Sequence, residues 1–190
     1  MSLQTKRLGR TGLELTVLGF GGTALGNMYA AMSEQAAFTT LESAYRLGIR
    51  YYDTAPLYGH GLSELRTGSG LRQFADPGVK LSTKVGWRLK PAFGHPTGAG
   101  LFEGITAFSR FNDYSYDGVM RSFEDSLNRL GTDRVDILLI HDADQRNQGE
   151  RFPEAFQAAM DGAYKALLGL REQKLVEAIG CGLNEWESCE

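Results

Sequence analysis

Cysteine is scarce in this sequence, with two residues among 190, Cys181 and Cys189. They lie close together near the C-terminal end and do not have the regular spacing of a disulfide framework. No neighbour in the sequence supplies Cys181 with a base or a cation, so a nucleophilic role is not indicated. The low cysteine content predicts a reduced, cytoplasmic protein.

Long apolar runs and a strong charge of one sign are also missing. No apolar run approaches the roughly 18 to 20 residues that span a bilayer, and the first residues lack the apolar segment of a signal peptide. The formal net charge is −3. Such a balance gives no electrostatic reason to expect nucleic acid or an anionic membrane as a partner.

Hydrophobic residues make up 42% of the chain, enough for one substantial core, and no linker interrupts it, so we predict a single domain over residues 1–190. Apolar periodicity and turn residues predict alternating elements. In chain order these are a hairpin over 5–18, a short strand from 19, a helix capped by Ser33, a strand ending at Asp53, a helix over 62–74, a strand over 79–84, a helix over 119–130, a strand over 135–140, a helix from Pro153 to Leu170 and a strand over 176–181. Such alternation implies parallel strands with helical crossovers.

Two segments have no single interpretation. Residues 19–26 are rich in glycine but lack the G-x-G-x-x-G spacing, and we predict no helix directly behind them. Their glycines indicate either a strand end that needs small residues or a backbone that approaches a ligand. Residues 86–115 show no sustained period, and their many aromatic residues favour a substrate-covering loop over a floppy insertion.

Polar residues stand where predicted strands end: Asp53, Lys84, His141 and Asn184. Parallel strands bring such ends to one rim, and Tyr58 follows Asp53 in a turn over the same rim. An open, doubly wound sheet binds ligands mostly at one switch point. Consecutive strands that all contribute polar ends fit a closed (β/α)8 barrel better, and this is the fold that we predict.

Several motifs carry a family resemblance along the whole chain. They cover residues 8–13 (LGRTGL), 19–22 (GFGG), 52–59 (YDTAPLYG), 82–84 (STK), 136–141 (DILLIH) and 179–182 (IGCG). Together they resemble the aldo-keto reductases. The variants over 59–64 and 182–186 look more like the sugar dehydrogenase branch, which includes D-threo-aldose, L-fucose and pyridoxal dehydrogenases.

The resemblance implies a catalytic set of Asp53, Tyr58, Lys84 and His141. A free phenol has a pKa of about 10, and a neighbouring ammonium such as that of Lys84 stabilises the phenolate. Asp53 would hold Lys84 charged and in place, and Tyr58 would exchange a proton with the substrate. His141 would orient the substrate oxygen, and Trp87 is a further candidate for substrate binding.

The implied cofactor is NADP or NAD, and the sequence does not indicate which. Candidate cofactor-binding residues are those that follow the first and second barrel strands and the last strand: Gly21, Gly22, Thr23, Asp53 and Asn184. The commoner family form has Ser-Asn directly after Ile-Gly-x, whereas Gly182 stands here in the Ser position and Asn184 comes one residue late. The sequence His141-Asp142-Ala143-Asp144 could suggest a metal site, but the other two histidines lie in unrelated loops, and we predict no metal.

The predicted function is NAD(P)-dependent hydride transfer to or from an aldose hemiacetal or a small aldehyde or alcohol, with a small carbonyl or sugar substrate as partner. The alternatives are a non-catalytic cofactor-sensing module of the same fold and a broad-specificity aldehyde reductase. An oligomer is compatible with the sequence. The N-terminal hairpin and about five of eight barrel strands are present, so we expect an incomplete barrel that is inactive by itself.

Overall fold

Five parallel strands form the centre of the molecule. The computed structural model describes residues 3–97 and 99–189, and its main sheet has the strand order β3-β4-β5-β8-β9. The strands are β3 (Phe20–Gly21), β4 (Tyr51–Asp53), β5 (Lys80–Val85), β8 (Ile137–His141) and β9 (Ala178–Gly182). Each neighbouring pair in the sheet is parallel. The carboxyl ends of all five strands therefore lie along one rim.

Helices connect these strands and bury one face of the sheet. They are α1 (Glu34–Arg46), α2 (Leu62–Phe74), α3 (Tyr116–Leu130), α4 (Gln145–Gln148), α5 (Phe152–Ala158) and α6 (Tyr164–Glu172). Ser33 caps α1 by accepting a hydrogen bond from the Ala36 N–H. The predicted apolar face of α3 is confirmed, because Val119, Phe123 and Leu130 are buried in the main core.

Two antiparallel hairpins flank the sheet. The predicted N-terminal hairpin is confirmed as β1 (Thr5–Arg7) paired with β2 (Glu14–Thr16). The prediction of a structureless segment over 86–115 is wrong, since β6 (Trp87–Pro91) pairs there with β7 (Phe108–Asn112). The sequence signal for this hairpin is weak because a long glycine-containing connection separates the two strands and no two-residue turn joins them.

The predicted helix from Pro153 to Leu170 is present, but it is not a regular α-helix throughout. A π-helical turn over Ala159–Ala163 separates α5 from α6, and the short α4 precedes them. The predicted apolar face is only partly buried, because Phe156 and Met160 remain 42% and 40% exposed. The inner part of that face, including Leu167 and Leu170, packs in the main core.

The glycine segment after β3 itself forms a 3-10 helix, Gly22–Gly26, which the sequence did not predict, and the next helix, α1, begins at Glu34. Both interpretations of its glycines find support at different positions. A Cβ on Gly22 would come 2.7 Å from the Asp53 carbonyl oxygen, which requires a small residue. A Cβ on Gly21 would meet nothing within 4 Å, so open space lies beside the rim at the end of β3.

Within residues 3–97 and 99–189, no helix is both long enough and apolar enough to cross a membrane.

Candidate active site

Lys84, the penultimate residue of β5, is at the centre of the rim. Its Nζ donates to Asp53 Oδ2 at 2.5 Å and to the Thr54 carbonyl oxygen at 2.9 Å. The side chain is 6% exposed. Burial disfavours the ammonium form, but the Asp53 carboxylate and the Tyr58 phenol outweigh that cost, so the pKa of Lys84 is raised. Lys84 therefore carries a fixed positive charge at neutral pH.

Tyr58 and His141 lie beside this charge. Lys84 Nζ is 4.8 Å from the centre of the Tyr58 ring. The Tyr58 and His141 rings meet edge to face, with centroids 5.7 Å apart and an interplanar angle of 86°. The structure thus brings together all four residues of the predicted catalytic set, although they come from three strands and one loop.

Two glycines fix the loop that carries Tyr58. Gly59 has a left-handed backbone with a φ of 63°, and a Cβ there would collide with the backbone of Gly26. A Cβ on Gly26 would in turn come 2.5 Å from the Tyr58 carbonyl carbon. Only residues without a side chain let these two backbones touch. The contact holds Tyr58 over the end of β4.

Asp53 is itself oriented by its neighbours on the sheet. Ser82 Oγ donates to Asp53 Oδ1 at 2.5 Å, and the Tyr51 hydroxyl lies 3.1 Å from the same Ser82 Oγ. One carboxylate oxygen is thus committed to Ser82 and the other to Lys84. This arrangement fixes the direction in which the Lys84 ammonium points.

His141 is held in its neutral form. Burial, followed by the positive charges of Lys84 and Arg110, lowers the pKa of His141 well below its ordinary value. Its Nδ1 is buried without a hydrogen-bond partner among the described residues. A neutral imidazole is suited to a hydrogen bond with an uncharged substrate oxygen.

The lowered pKa of His141 predicts how stability depends on pH. In the unfolded chain histidine binds a proton below about pH 6.5, whereas folded His141 does not, so the free energy of unfolding should fall as the pH drops below that value. One such group contributes at most about 1.4 kcal/mol per pH unit. Urea unfolding at pH 7.5, 6.5 and 5.5 should therefore show a steeper decline for the unchanged chain than for His141→Asn.

Asp142 contributes a pH dependence of its own at the acidic side of this test. Burial raises the pKa of Asp142, so its contribution has the opposite sign: folding binds a proton just above the ordinary carboxyl range, and stability there decreases as the pH rises. Both chains share this contribution. Equal slopes for the two chains between pH 7.5 and 5.5 would show that His141 does not carry the dependence.

Asp142 accepts hydrogen bonds from the two predicted site residues not yet described, Trp87 and Asn184. The sequence analysis considered Asp142 only as a possible metal ligand. Its backbone has a left-handed φ of 56°, and the residue is 4% exposed. Trp87 Nε1 donates to Asp142 Oδ2 at 2.9 Å, and Asn184 Nδ2 donates to Asp142 Oδ1 at 3.1 Å. Oδ1 also lies 3.6 Å from His141 Nε2. The only sequence signal for a role of Asp142 at the site is its position directly after His141, at the end of a predicted strand.

Asp144 and Tyr114 support this cluster from behind. Asp144 caps α4 and also accepts the Asn184 backbone N–H at 2.8 Å. The Tyr114 hydroxyl donates to the His141 carbonyl oxygen at 2.7 Å. Both side chains are buried. They fix the backbone on which His141 and Asn184 stand.

The other predicted cofactor-binding residues lie on the same rim. Gly21 pairs with Asp53 in the sheet, and Gly22 and Thr23 begin the 3-10 helix that follows. Gly182, at the end of β9, is close to the centre, since a Cβ there would lie 3.1 Å from Lys84 Cε. The open space beside Gly21 and the exposed position of Asn184 fit residues that would hold a nicotinamide cofactor at this rim.

Part of the segment between β6 and β7 lies against the site. The Tyr29 N–H donates to the Leu101 carbonyl oxygen at 2.8 Å, and the Phe102 ring centroid is 6.2 Å from that of Tyr58. A substrate-covering role for this segment stays a prediction. In the described ranges, no three His, Cys, Asp or Glu side chains cluster closely enough to hold a metal ion.

Comparison with known proteins gives the family. The model of the aldo/keto reductase family matches residues 17–190. Pyridoxal 4-dehydrogenase from Microbacterium luteolum is 40% identical over 97% of this chain and 56% of its own length. D-threo-aldose 1-dehydrogenase from a Pseudomonas species is 37% identical over 90% of this chain and 51% of its own length. The chain belongs to the aldo/keto reductase family, and it spans about half the length of these relatives.

Solved structures agree with the fold. An aldo-keto reductase from Bacillus halodurans, solved in its holo form, superposes with a TM-score of 0.73 at 25% identity, over 98% of this chain and 52% of that one. A glycerol dehydrogenase from Gluconobacter oxydans gives a TM-score of 0.69 at 24% identity, over 97% of this chain and 50% of that one, and supports the fold alone. The five parallel strands thus form part of a (β/α) barrel of the aldo-keto reductase type, as predicted.

Proposed function

We propose that this chain carries the proton-transfer site of an NAD(P)-dependent oxidoreductase acting on an aldose hemiacetal or a small aldehyde or alcohol. The observation that carries the proposal is the buried Lys84 ammonium, which is paired with Asp53 at 2.5 Å and lies 4.8 Å from the Tyr58 ring centre. The names of the relatives, a pyridoxal and an aldose dehydrogenase, support the same substrate range.

The site residues divide the chemistry between them. The fixed charge of Lys84 lies beside the Tyr58 ring, where it can stabilise the negative charge that develops as the phenol gives its proton to a carbonyl oxygen. In the opposite direction the same oxygen accepts a proton from an alcohol. Neutral His141 positions the substrate oxygen by hydrogen bonding. Asp53 keeps Lys84 in place, and it does not contact the substrate.

The cofactor would lie on the same rim. A bound nicotinamide supplies or accepts the hydride. The residues that would hold it are Gly21, Gly22, Thr23, Asp53 and Asn184. Either NAD or NADP would supply this chemistry, and the low cysteine content supports a cytoplasmic setting.

The test is steady-state absorbance at the reduced nicotinamide band. The holoenzyme, meaning the polypeptide that contains this chain with NAD or NADP bound, is assayed with L-fucose, D-arabinose, pyridoxal and a nitrobenzaldehyde. We expect turnover of at least one of these. Measurable cofactor binding without any turnover would favour a non-catalytic, cofactor-sensing module instead.

A further inference from the structure

Arg110 on β7 places its guanidinium over the ring of Trp87, a residue of the candidate site. The guanidinium carbon lies 4.5 Å from the centre of the Trp87 ring, and the side chain is half-buried. Asp142 fixes that ring by accepting its N–H at 2.9 Å. Arg110 is thus placed by a stack on a residue that is itself anchored beside His141.

Apart from this stack, the guanidinium of Arg110 has no hydrogen-bond or ion-pair partner in the described part of the chain. It makes no hydrogen bond there and no ion pair within 4.0 Å, whereas Arg88 of the same hairpin pairs with Asp113 at 2.9 Å. Burial lowers the pKa of Arg110, and the Asp142 carboxylate only partly opposes the change. No Arg110 nitrogen is among the buried polar atoms of the described residues that lack a partner, so its donors are open to solvent and accessible to a ligand. Five unused N–H donors at the edge of a site suit a ligand better than they suit the fold.

The charges around Arg110 limit what that ligand can be. Arg110 and Lys84 together lower the pKa of His141, so the guanidinium acts on the site itself. The Asp142 carboxylate lies near enough for each charge to shift the pKa of the other. A carboxylate beside the guanidinium repels an anion but can attract the protons of neutral hydroxyl groups. The planar fork of an arginine matches two neighbouring oxygens.

We propose that Arg110 binds two neighbouring hydroxyl oxygens of a polyhydroxylated substrate, beyond its reacting carbon. This inference rests on the proposed function and specifies its substrate class. Arg110 then acts as a specificity residue, supplied by the hairpin that follows β5.

The test compares substrates with and without those hydroxyl groups. In the holoenzyme, Arg110→Met should lower kcat/KM for L-fucose or D-arabinose by about 10- to 100-fold, the usual effect of hydrogen bonds to a charged group, chiefly through KM. For 4-nitrobenzaldehyde, which lacks the hydroxyls, the change should stay within about threefold. Lys90→Met removes an exposed charge from the same hairpin and is expected to change neither value.

Three results would overturn the inference while the unchanged enzyme is active. Equal losses for sugar and nitrobenzaldehyde would make Arg110 structural. A loss confined to 4-carboxybenzaldehyde would make the site one for anions. A weaker affinity for the cofactor alone would place Arg110 in the cofactor site.

A binding measurement separates this inference from the proposed function. The tryptophan fluorescence of the holoenzyme should change on titration with L-fucose, with or without turnover; Trp87→Phe should remove this change and Trp186→Phe should keep it, because Arg110 stacks on Trp87. Arg110→Met should abolish that change. If no substrate is turned over but the fluorescence still changes with L-fucose, only the proposed function is rejected. If Arg110→Met leaves that fluorescence change intact, the role of Arg110 is rejected.

Discussion

Replacing Tyr58 by Phe is expected to slow hydride transfer in the holoenzyme by about 10²- to 10⁴-fold, the usual worth of a general acid or base. The phenol ring remains, so its edge-to-face contact with His141, with centroids 5.7 Å apart, can persist. What is lost is the hydroxyl beside Lys84, the proposed proton donor. The measurement is single-turnover absorbance at the reduced nicotinamide band, which reports the chemical step rather than product release.

The control for this prediction is cofactor affinity. Because the lost hydroxyl is proposed to exchange a proton with the substrate and not to bind the cofactor, the Kd of the cofactor should change little in Tyr58→Phe. Tyr29→Phe removes a phenol that is 68% exposed, and it should leave both rate and affinity unchanged. If Tyr58→Phe weakened cofactor binding as much as it slowed turnover, Tyr58 would be a packing residue.

The sheet and the order of its strands followed from local patterns. Continuous apolar runs such as the one before His141 identify strands that are buried on both faces, and α2 begins and ends where its sequence predicted. Strand ends were off by one or two residues, as at β8, which begins at Ile137 rather than at Val135. The polar residue that follows each run was therefore placed on the correct rim.

The hairpin of β6 and β7 was not predictable from the same signals. Its pairing joins Trp87 to Asn112, residues that are separated by a long connection. Such a pairing is stabilised by tertiary contacts, including the stack of Arg110 on Trp87, and local patterns do not encode them. Local patterns also did not identify Asp142 as a site residue, because its place in the site depends on hydrogen bonds from residues far away in the sequence.

A buried ion pair between α2 and α3 also escaped the sequence analysis. Glu64 is fully buried and accepts from Arg129 Nε at 2.6 Å and from Thr83 Oγ1 at 2.7 Å. Thr83 directly precedes Lys84 on β5. This one carboxylate thus links two helices to the strand that carries the central lysine, behind the site rather than in it.

Arg129→Met is expected to lower the free energy of unfolding by about 3–5 kcal/mol, because it leaves the Glu64 carboxylate buried without its cation. Urea unfolding of the chain, fitted for midpoint and slope, gives the value. Arg46→Met breaks the ion pair with Glu42, which has a similar length of 2.9 Å, but the Arg46 side chain is 74% exposed. That control should cost less than about 0.5 kcal/mol.

The double variant Glu64→Gln/Arg129→Met separates the lost charge partner from lost packing. Glutamine keeps an oxygen that can accept the Thr83 hydroxyl, and it carries no charge that needs Arg129. The double variant should therefore recover most of the stability that Arg129→Met loses, since removing both charges of a buried pair often costs little. If the double variant were as unstable as Arg129→Met alone, the aliphatic stem of Arg129 between the helices, and not its charge, would stabilise this side of the barrel.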